Sequence, residues 1–284
     1  MSNTQALEFT GERFTPECVR EIAYEHWHRY AWASGLVKGK TVVDAACGEG
    51  YGSALLKRTA ADVVGIDIDP DAVAHARQRY ARDGLRFECA DCTELPLADD
   101  SADCIVSFET LEHLAEQDAL LAEFRRVLRP DGFLLLSSPD KKTYSDETGY
   151  DNPFHVRELY RDELEALIQR HFPAWRLFGQ KLMFISAIWS LGQGGSAEWL
   201  TEQGDRLDRG PQPRLPALYY MAVAGASDGC LPTLPAASLY GDQAESVYQH
   251  YNQEVAAHIR AGHLLAERDA EIAELRARLA SLTS

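Results

Sequence analysis

The chain is short of positive charge. Its 284 residues carry 28 Lys and Arg against 44 Asp and Glu, a formal charge of −16. Gripping a nucleic-acid backbone takes many cations, so nucleic acid is not an expected partner. Long apolar runs are missing too. None approaches the ~20 residues that cross a bilayer, and no transmembrane segment is expected. The opening residues 1–5, MSNTQ, have neither the basic start nor the apolar stretch of a secretory leader. Cytoplasmic residence is the expectation. Cysteine is sparse: Cys18, Cys47, Cys89, Cys92, Cys104 and Cys230 are scattered through strand and loop patterns, as reduced apolar residues of a cytosolic chain would be. Cys89 and Cys92 form a lone C-x-x-C without the second pair of a zinc site. Neither the dinucleotide fingerprint G-x-G-x-x-G nor a loop ending in Gly-Lys-Ser/Thr occurs, and there are no internal repeats.

What the chain does have is residues 41–50, TVVDAACGEG. The first half reads as a short buried strand. The second half is a glycine-containing turn running into a helical pattern from Tyr51 to Arg58. A strand, a tight turn and a helix start let a ligand approach the backbone and meet unpaired N–H groups. Asp44 at the strand's end adds a carboxylate facing that crevice.

From here strand and helix alternate. Strands are expected at Thr41–Ala46, Val63–Asp67, Arg86–Cys89, Asp103–Phe108 and Phe133–Ser138. Helices are expected at Tyr51–Arg58, Pro70–Arg82 and Glu116–Leu128, with Asp69 capping the second and a turn at Arg129–Gly132 ending the third. Such alternation predicts a doubly wound, mostly parallel sheet with helices on both faces. Ligands bind such sheets at the carboxyl ends of the strands. Acids stand at three successive ends: Asp44, Asp67 and Asp91. An acid after the second strand can accept from a ribose diol, and one after the third can face an adenine amino group. Singly, each is an ordinary solvated turn residue; together, at this spacing, they mark a nucleoside site. Glu109, Glu112 and His113 follow the fourth strand.

Residues ~40–140 resemble the core of class I S-adenosylmethionine-dependent methyltransferases, down to the Glu112-His113-Leu114 after the fourth strand and the Leu128–Gly132 segment before the fifth. The resemblance implies a seven-stranded, Rossmann-like fold and S-adenosylmethionine as cofactor. It places Asp44, Ala46, Cys47, Gly48 and Gly50 along the methionine part and Asp67 on the ribose hydroxyls. Ile68 would pack on the adenine, Asp91 and Cys92 would meet its edge, and Phe108 would flank the cofactor. Ala46 stands where the family has glycine, which a negative φ would accommodate. Outside the core, residues 10–14 (TGERF), 25–30 (EHWHRY) and 152–158 (NPFHVRE) resemble bacterial methyltransferases encoded among glycan-building enzymes. That likeness implies Arg13, Phe14 and Tyr30 near the cofactor and His155 in an acceptor pocket.

Four regions follow from this reading: an aromatic helical segment over residues 1–38, a methyltransferase domain over 39–226, a linker over 227–243, and a helix over 244–284. The helix from Val19 to Leu36 is either ordinary packing on the sheet or a lid over the cofactor. Glu158–Arg170 reads as a further helix and Trp175–Leu177 as a sixth strand continued by Met183–Ile188. Gly192–Gly195 and Gly210–Pro213 frame an insertion over about 189–215, and Leu218–Ala224 reads as a seventh, antiparallel strand. Positions 247, 251, 254, 258, 261, 265, 268, 272, 275, 279 and 282 follow heptad spacing. A coiled coil giving a homo-oligomer or a partner contact is expected there, against a helix folded back on its own domain.

Methyl transfer from a sulfonium needs mainly alignment, and an oxygen acceptor also needs a base. His113 is the first candidate, with Glu112 or Glu109 orienting it, unless these acids merely favour a helix start. His155 is the second. A Mg²⁺-assisted route through Glu112, His113 or Asp140 is conceivable, but no carboxylate cluster demands a metal, and none is expected. The leading expectation is O-methylation of a sugar or polysaccharide acceptor. The alternatives are a small-molecule or natural-product acceptor, and a catalytically silent scaffold working through its C-terminal helix.

Overall fold

A computed structural model describes Thr15, residues 21–192 and residues 198–282. Arg13, Phe14, Cys18, the 10–14 segment and the glycines at 194 and 195 lie outside the described residues. The chain divides into two compact units, Met1–Leu239 and Tyr240–Ser284.

The first unit is built on a seven-stranded sheet of order β3-β2-β1-β4-β5-β9-β6. β1 (Thr41–Ala45), β2 (Asp62–Asp67), β3 (Leu85–Cys89), β4 (Ala102–Phe108) and β5 (Leu128–Pro139) run parallel. β9 (Tyr219–Gly225) inserts antiparallel between β5 and β6 (Ala174–Gln180). This is the Rossmann-like methyltransferase fold. Its helices are α1 (Glu21–Leu36), α2 (Tyr51–Leu56), α3 (Pro70–Tyr80), α4 (Gln117–Val127) and α5 (Arg161–His171).

Strand periodicity explains the two layers. Successive side chains point to opposite faces. Val43, Ala45, Ile105, Leu134 and Leu136 therefore pack against Leu120, Leu121 and Phe124 of α4 and Leu167 and Ile168 of α5. Val42, Cys104, Val106, Phe133 and Leu135 meet Tyr30 and Ala33 of α1, Leu56 of α2, and Val73 and Ala76 of α3. With both faces covered, the strands read as continuous apolar runs. Asp69 caps α3, accepting from Asp71 N at 2.8 Å, with Pro70 in the first turn.

Two local expectations are corrected. Arg129–Gly132 forms no separate turn. It is the irregular start of β5, which leaves α4 directly at Leu128 and shifts register against β4 between Ala102 and Cys104. Met183–Ile188 does not extend the sheet, because residues 181–190 have no regular structure. The insertion contains instead a small hairpin, β7 (Trp199–Gln203) with β8 (Arg206–Gly210). Its turn is Gly204-Asp205, a Gly-Asp pair of the hairpin type, with Gly204 at φ 64°.

The second unit is dominated by α6 (Ser246–Leu282), with Ser246 tied to Asp242 at its start. Among the described residues no helix is long and apolar enough to cross a membrane.

Candidate active site

The cofactor side is a loop held in a conformation that most side chains avoid. Ala46 (φ 60°), Gly48 (φ 54°) and Gly50 (φ 91°) all lie in the left-handed region. The negative φ that would have accommodated the Ala46 methyl is not present. This alanine carries a glycine's backbone at a strain of about 1–2 kcal/mol. At Gly50 a Cβ would also come 2.8 Å from Ala76 Cβ and 2.9 Å from the Phe87 ring, so glycine is required there by space as well as by φ.

Buried groups pin this loop. Asp67, 7% exposed, accepts from Gly48 N at 2.7 Å through Oδ2 and from Asp69 N at 3.0 Å through Oδ1. Glu49, to which no role was assigned from sequence, is 1% exposed. It accepts from His75 Nε2 (2.8 Å), Arg79 Nη1 (2.8 Å) and Tyr80 hydroxyl (2.9 Å), all on α3. Only the long-range placement of α3 makes it a clamp. Its sequence signal is weak: an acid between two turn glycines.

Asp44 does not stand open to the crevice. It is fully buried, its Oδ1 accepting from Tyr30 hydroxyl at 3.1 Å and its Oδ2 from Ser53 hydroxyl at 2.5 Å. Burial pushes its carboxyl up to about 7, and the two hydroxyls pull only partly back. Tyr30 is likewise a core residue. Its ring packs edge-on against Tyr51 (5.3 Å) and Phe108 (5.1 Å), and sits where a Cβ on Gly52 would come within 2.1 Å of it. Tyr30 and Phe108 are both buried and pack on each other beside the Asp44 end of the loop. Cys47 and Cys92 are buried; the Cys92 thiol is raised to about 12 by its apolar surroundings.

Two predicted contacts do face outward. Ile68 is 67% exposed beside the buried Asp67, a flat apolar surface with no partner layer. Asp91 is exposed, its Oδ1 accepting from Thr93 N and hydroxyl, each at 2.8 Å. A turn with three left-handed residues, an exposed apolar side chain at Ile68 and two acids at adjacent strand ends fit a nucleoside with an amino-acid tail.

The side on which the acceptor is expected is assembled from distant segments. After β4, Glu109 sits at φ 52°, its N–H donating to Ser137 Oγ (3.0 Å) and its Oε1 accepting from the same hydroxyl (2.6 Å). A tight turn at Leu111–His113 follows. The carbonyl of Glu112 accepts from Val156 N (2.8 Å) and Arg157 N (2.9 Å). Gln117 Nε2 donates to the carbonyls of Leu111 and Arg157 at 2.9 and 2.8 Å. These bonds strap residues 152–158 onto the turn and bring His155 to His113, ring centroids 5.0 Å apart. His113 Nδ1 lies 3.0 Å from Phe154 O. His155 Nδ1 donates to Glu158 Oε1 at 2.5 Å, its Nε2 accepts from Asn152 Nδ2 at 3.0 Å, and Tyr144 stacks on its ring. Glu112 is 1% exposed, and burial together with the Glu109 charge raises its carboxyl well above the usual range. One ligand atom each of Glu112, His113 and His155 lies within 4.8 Å of the others. From sequence these three are catalytic candidates, with no metal expected on them. Asp140 is not part of it; it is buried and bonded to Thr143.

Arg29 was also missed. Fully buried, it donates from Nε to Gln180 Oε1 at 2.7 Å, approaches Glu109 Oε2 at 3.5 Å and lies 4.3 Å over the Tyr219 ring. It borders a cavity of about 490 Å³ shared with Trp32, Arg161, Phe178, Met183 and Leu215.

Known proteins match this arrangement. Residues 43–136 match a family described as a methyltransferase domain. A Mycolicibacterium smegmatis protein named "Probable S-adenosylmethionine-dependent methyltransferase" is 41% identical over 169 residues, 58% of this chain and 64% of that protein. A fatty-acid O-methyltransferase from the same organism is 33% identical over 140 residues, 49% of this chain and 48% of that protein. The chain thus spans less than two thirds of the length of these curated relatives. In fold it is similar to an S-adenosylmethionine-dependent methyltransferase from Thermotoga maritima, with a TM-score of 0.52 at 15% identity over 72% of this chain and 90% of that one. The fold is that of class I methyltransferases, and residues 43–136 are similar in sequence to a methyltransferase domain.

Proposed function

We propose that the chain transfers a methyl group from S-adenosylmethionine to an oxygen of its acceptor, with a sugar or polysaccharide end as the leading acceptor class. The observation that carries this reading is the Glu112, His113 and His155 cluster at the end of β4. S-adenosylmethionine, when bound, supplies a methyl group activated on a positively charged sulfur. Asp67 would hold the ribose hydroxyls with the lone pairs that Gly48 and Asp69 leave, Ile68 would cover the adenine, and Asp91 would accept from its amino group. The turn from Ala46 to Gly50 would lie along the methionine part.

Acceptor alignment then falls to the strap over residues 152–158, and removal of the hydroxyl proton to His113 of the turn and His155 of the strap. Glu158 orients His155, and Phe154 O orients His113. A sugar suits polar groups set among aromatic faces: Tyr144 stacks on the His155 ring, and Tyr150, half exposed, lies 5.9 Å from Tyr144. The cavity beside Arg29 favours a second reading. Its aromatic and aliphatic walls with Arg29 and Arg161 suit an apolar acid, in keeping with the fatty-acid O-methyltransferase among the relatives.

In the test, the protein is incubated with methyl-labelled S-adenosylmethionine and either oligosaccharides or long-chain fatty acids. Label in a sugar ether supports the leading reading, and label in a methyl ester replaces it with the second. Tight S-adenosylhomocysteine binding with no transfer to any acceptor sinks both and favours a silent scaffold.

The helix α6 completes the proposal as an assembly element. Tyr251, Leu265, Ile272, Leu275, Leu279 and Leu282 of the heptad stripe are all exposed. An isolated helix gains little from such a stripe, whereas pairing with a second copy buries it. Light scattering should show a mass above one chain that falls to a single chain in an Ile272→Asp, Leu279→Asp double variant. A monomeric parent refutes self-association.

A further inference from the structure

We propose that Glu112, His113 and His155 hold a divalent first-row transition-metal cation on the acceptor side of the sheet. The inference deepens the methyl-transfer reading and rests on it only for the cation's role, not for its binding.

Three observations carry it. The first is the donor set: two imidazoles and a carboxylate with ligand atoms within 4.8 Å of one another. Two imidazoles favour zinc, cobalt, iron or nickel over magnesium and calcium, which prefer all-oxygen sites. Three protein ligands also leave coordination positions open, as sites that receive a substrate do. The second is the state of Glu112. The residue is 1% exposed, and its Oε2 has no hydrogen-bond partner, while Oε1 lies 3.9 Å from His113 Nε2. Burying a carboxylate oxygen with nothing to compensate it is costly. A cation between this carboxylate and the two rings would remove that cost.

The third is the outer layer. A metal-binding imidazole gives its other N–H to a carbonyl or carboxylate, which fixes its tautomer and aim. Phe154 O does this for His113 Nδ1 at 3.0 Å, and Glu158 Oε1 for His155 Nδ1 at 2.5 Å. Glu158 is itself held by Ser145 hydroxyl at 2.5 Å. Both rings thereby carry the ligand lone pair on Nε2. On His155 that lone pair accepts from Asn152 Nδ2 at 3.0 Å, so the amide is the group that a cation would displace. A cation here would take over from the imidazoles, whose lone pairs it would occupy: it would fix an acceptor oxygen and make its hydroxyl a stronger acid.

The test uses full-length protein stripped with a chelator, dialysed and titrated with Co²⁺, following its visible ligand-field bands. Zn²⁺ is then added as competitor, with Mg²⁺ as comparison. The expected result is one saturable Co²⁺ per chain, displaced by Zn²⁺ and not by Mg²⁺. Glu112→Gln and His155→Ala should each weaken it by at least about tenfold, and Glu158→Gln by about 10–100-fold, with S-adenosylhomocysteine binding retained to show that the sheet is intact. No saturable Co²⁺ binding by the parent overturns the proposal. So does binding that all three variants leave unchanged, the result expected if the histidines of residues 240–284 take the ion. Co²⁺ binding that follows these variants in a protein that transfers no methyl group would uphold the site and refute the enzymatic reading.

Discussion

The two sides of the crevice are built by opposite means. The cofactor side is mostly local: residues 44–50 form one stretch of chain with Ala46, Gly48 and Gly50 in the left-handed region, and Asp67 and Glu49 clamp it. The acceptor side is long-range: a turn at 111–113 and a strap at 152–158 meet through the carbonyl of Glu112, the imidazole of His113 and the side chain of Gln117. One side is preformed by strain, the other by a few hydrogen bonds between segments about 40 residues apart. Substitutions on the first side should therefore move stability and cofactor affinity together. Substitutions on the second should move turnover while leaving the cofactor bound.

The largest effect is expected on the acceptor side. His113→Ala should lower turnover by ~10²–10⁴-fold, the usual contribution of a positioned acid–base group. S-adenosylhomocysteine affinity, measured by calorimetry, should stay within about twofold. A parallel loss of affinity would mean that the two sides are not separable.

Next comes Asp44, where the cofactor side answers to pH. Its folded carboxyl is raised to about 7 by burial, against ~3.9 when unfolded. Between these values the native state binds the extra proton, so stability falls as pH rises. The neutral acid's advantage is complete below ~3.9 and is lost through about 7. Asp44→Asn should remove this dependence and gain about 2–4 kcal/mol on the parent between pH 4.5 and 7.5. Urea midpoints across that range decide it, and parallel curves for the two proteins would show that Asp44 does not titrate there.

Asp67→Ala should follow, weakening S-adenosylhomocysteine by about 10–100-fold. This corresponds to ~1.5–3 kcal/mol for a charged hydrogen bond. Because Asp67 also holds Gly48 N and Asp69 N, the melting temperature should drop too. An unchanged affinity would remove Asp67 from the ribose contact.

The same contrast decides what was legible in the sequence. The sheet and the strand-end acids could be read because each rests on a few consecutive residues: β-branched runs, the Gly48–Gly50 turn, Pro70 behind its Asp69 cap. The partners of Asp44 could not, since nothing local says that Tyr30 and Ser53 will close over it. Glu49 could not be assigned without knowing where α3 packs. His155 could be tied to the acceptor side only through resemblance, and its placement against Glu112 and His113 depends on two backbone bonds to a carbonyl. Where the β5 edge is irregular, turn residues misled: Pro130 and Gly132 sit inside the extended start of a strand, because an outer register shift tolerates them.

The smallest effect bears directly on strain. Ala46 at φ 60° holds a conformation that costs an L-residue about 1–2 kcal/mol. Glycine would remove that cost but gives the unfolded chain more freedom, worth about 0.4–1 kcal/mol in the other direction. The difference predicts that Ala46→Gly stabilises the protein by about 0.5–1 kcal/mol, readable as a shift in urea midpoint at unchanged slope. If the alanine methyl instead braces the loop for its ligand, the same substitution should weaken S-adenosylhomocysteine while raising stability. A gain in both would mean that this alanine only strains the loop. A loss in both would mean that packing of the Ala46 methyl beside the Val43–Ala45 core outweighs the backbone cost.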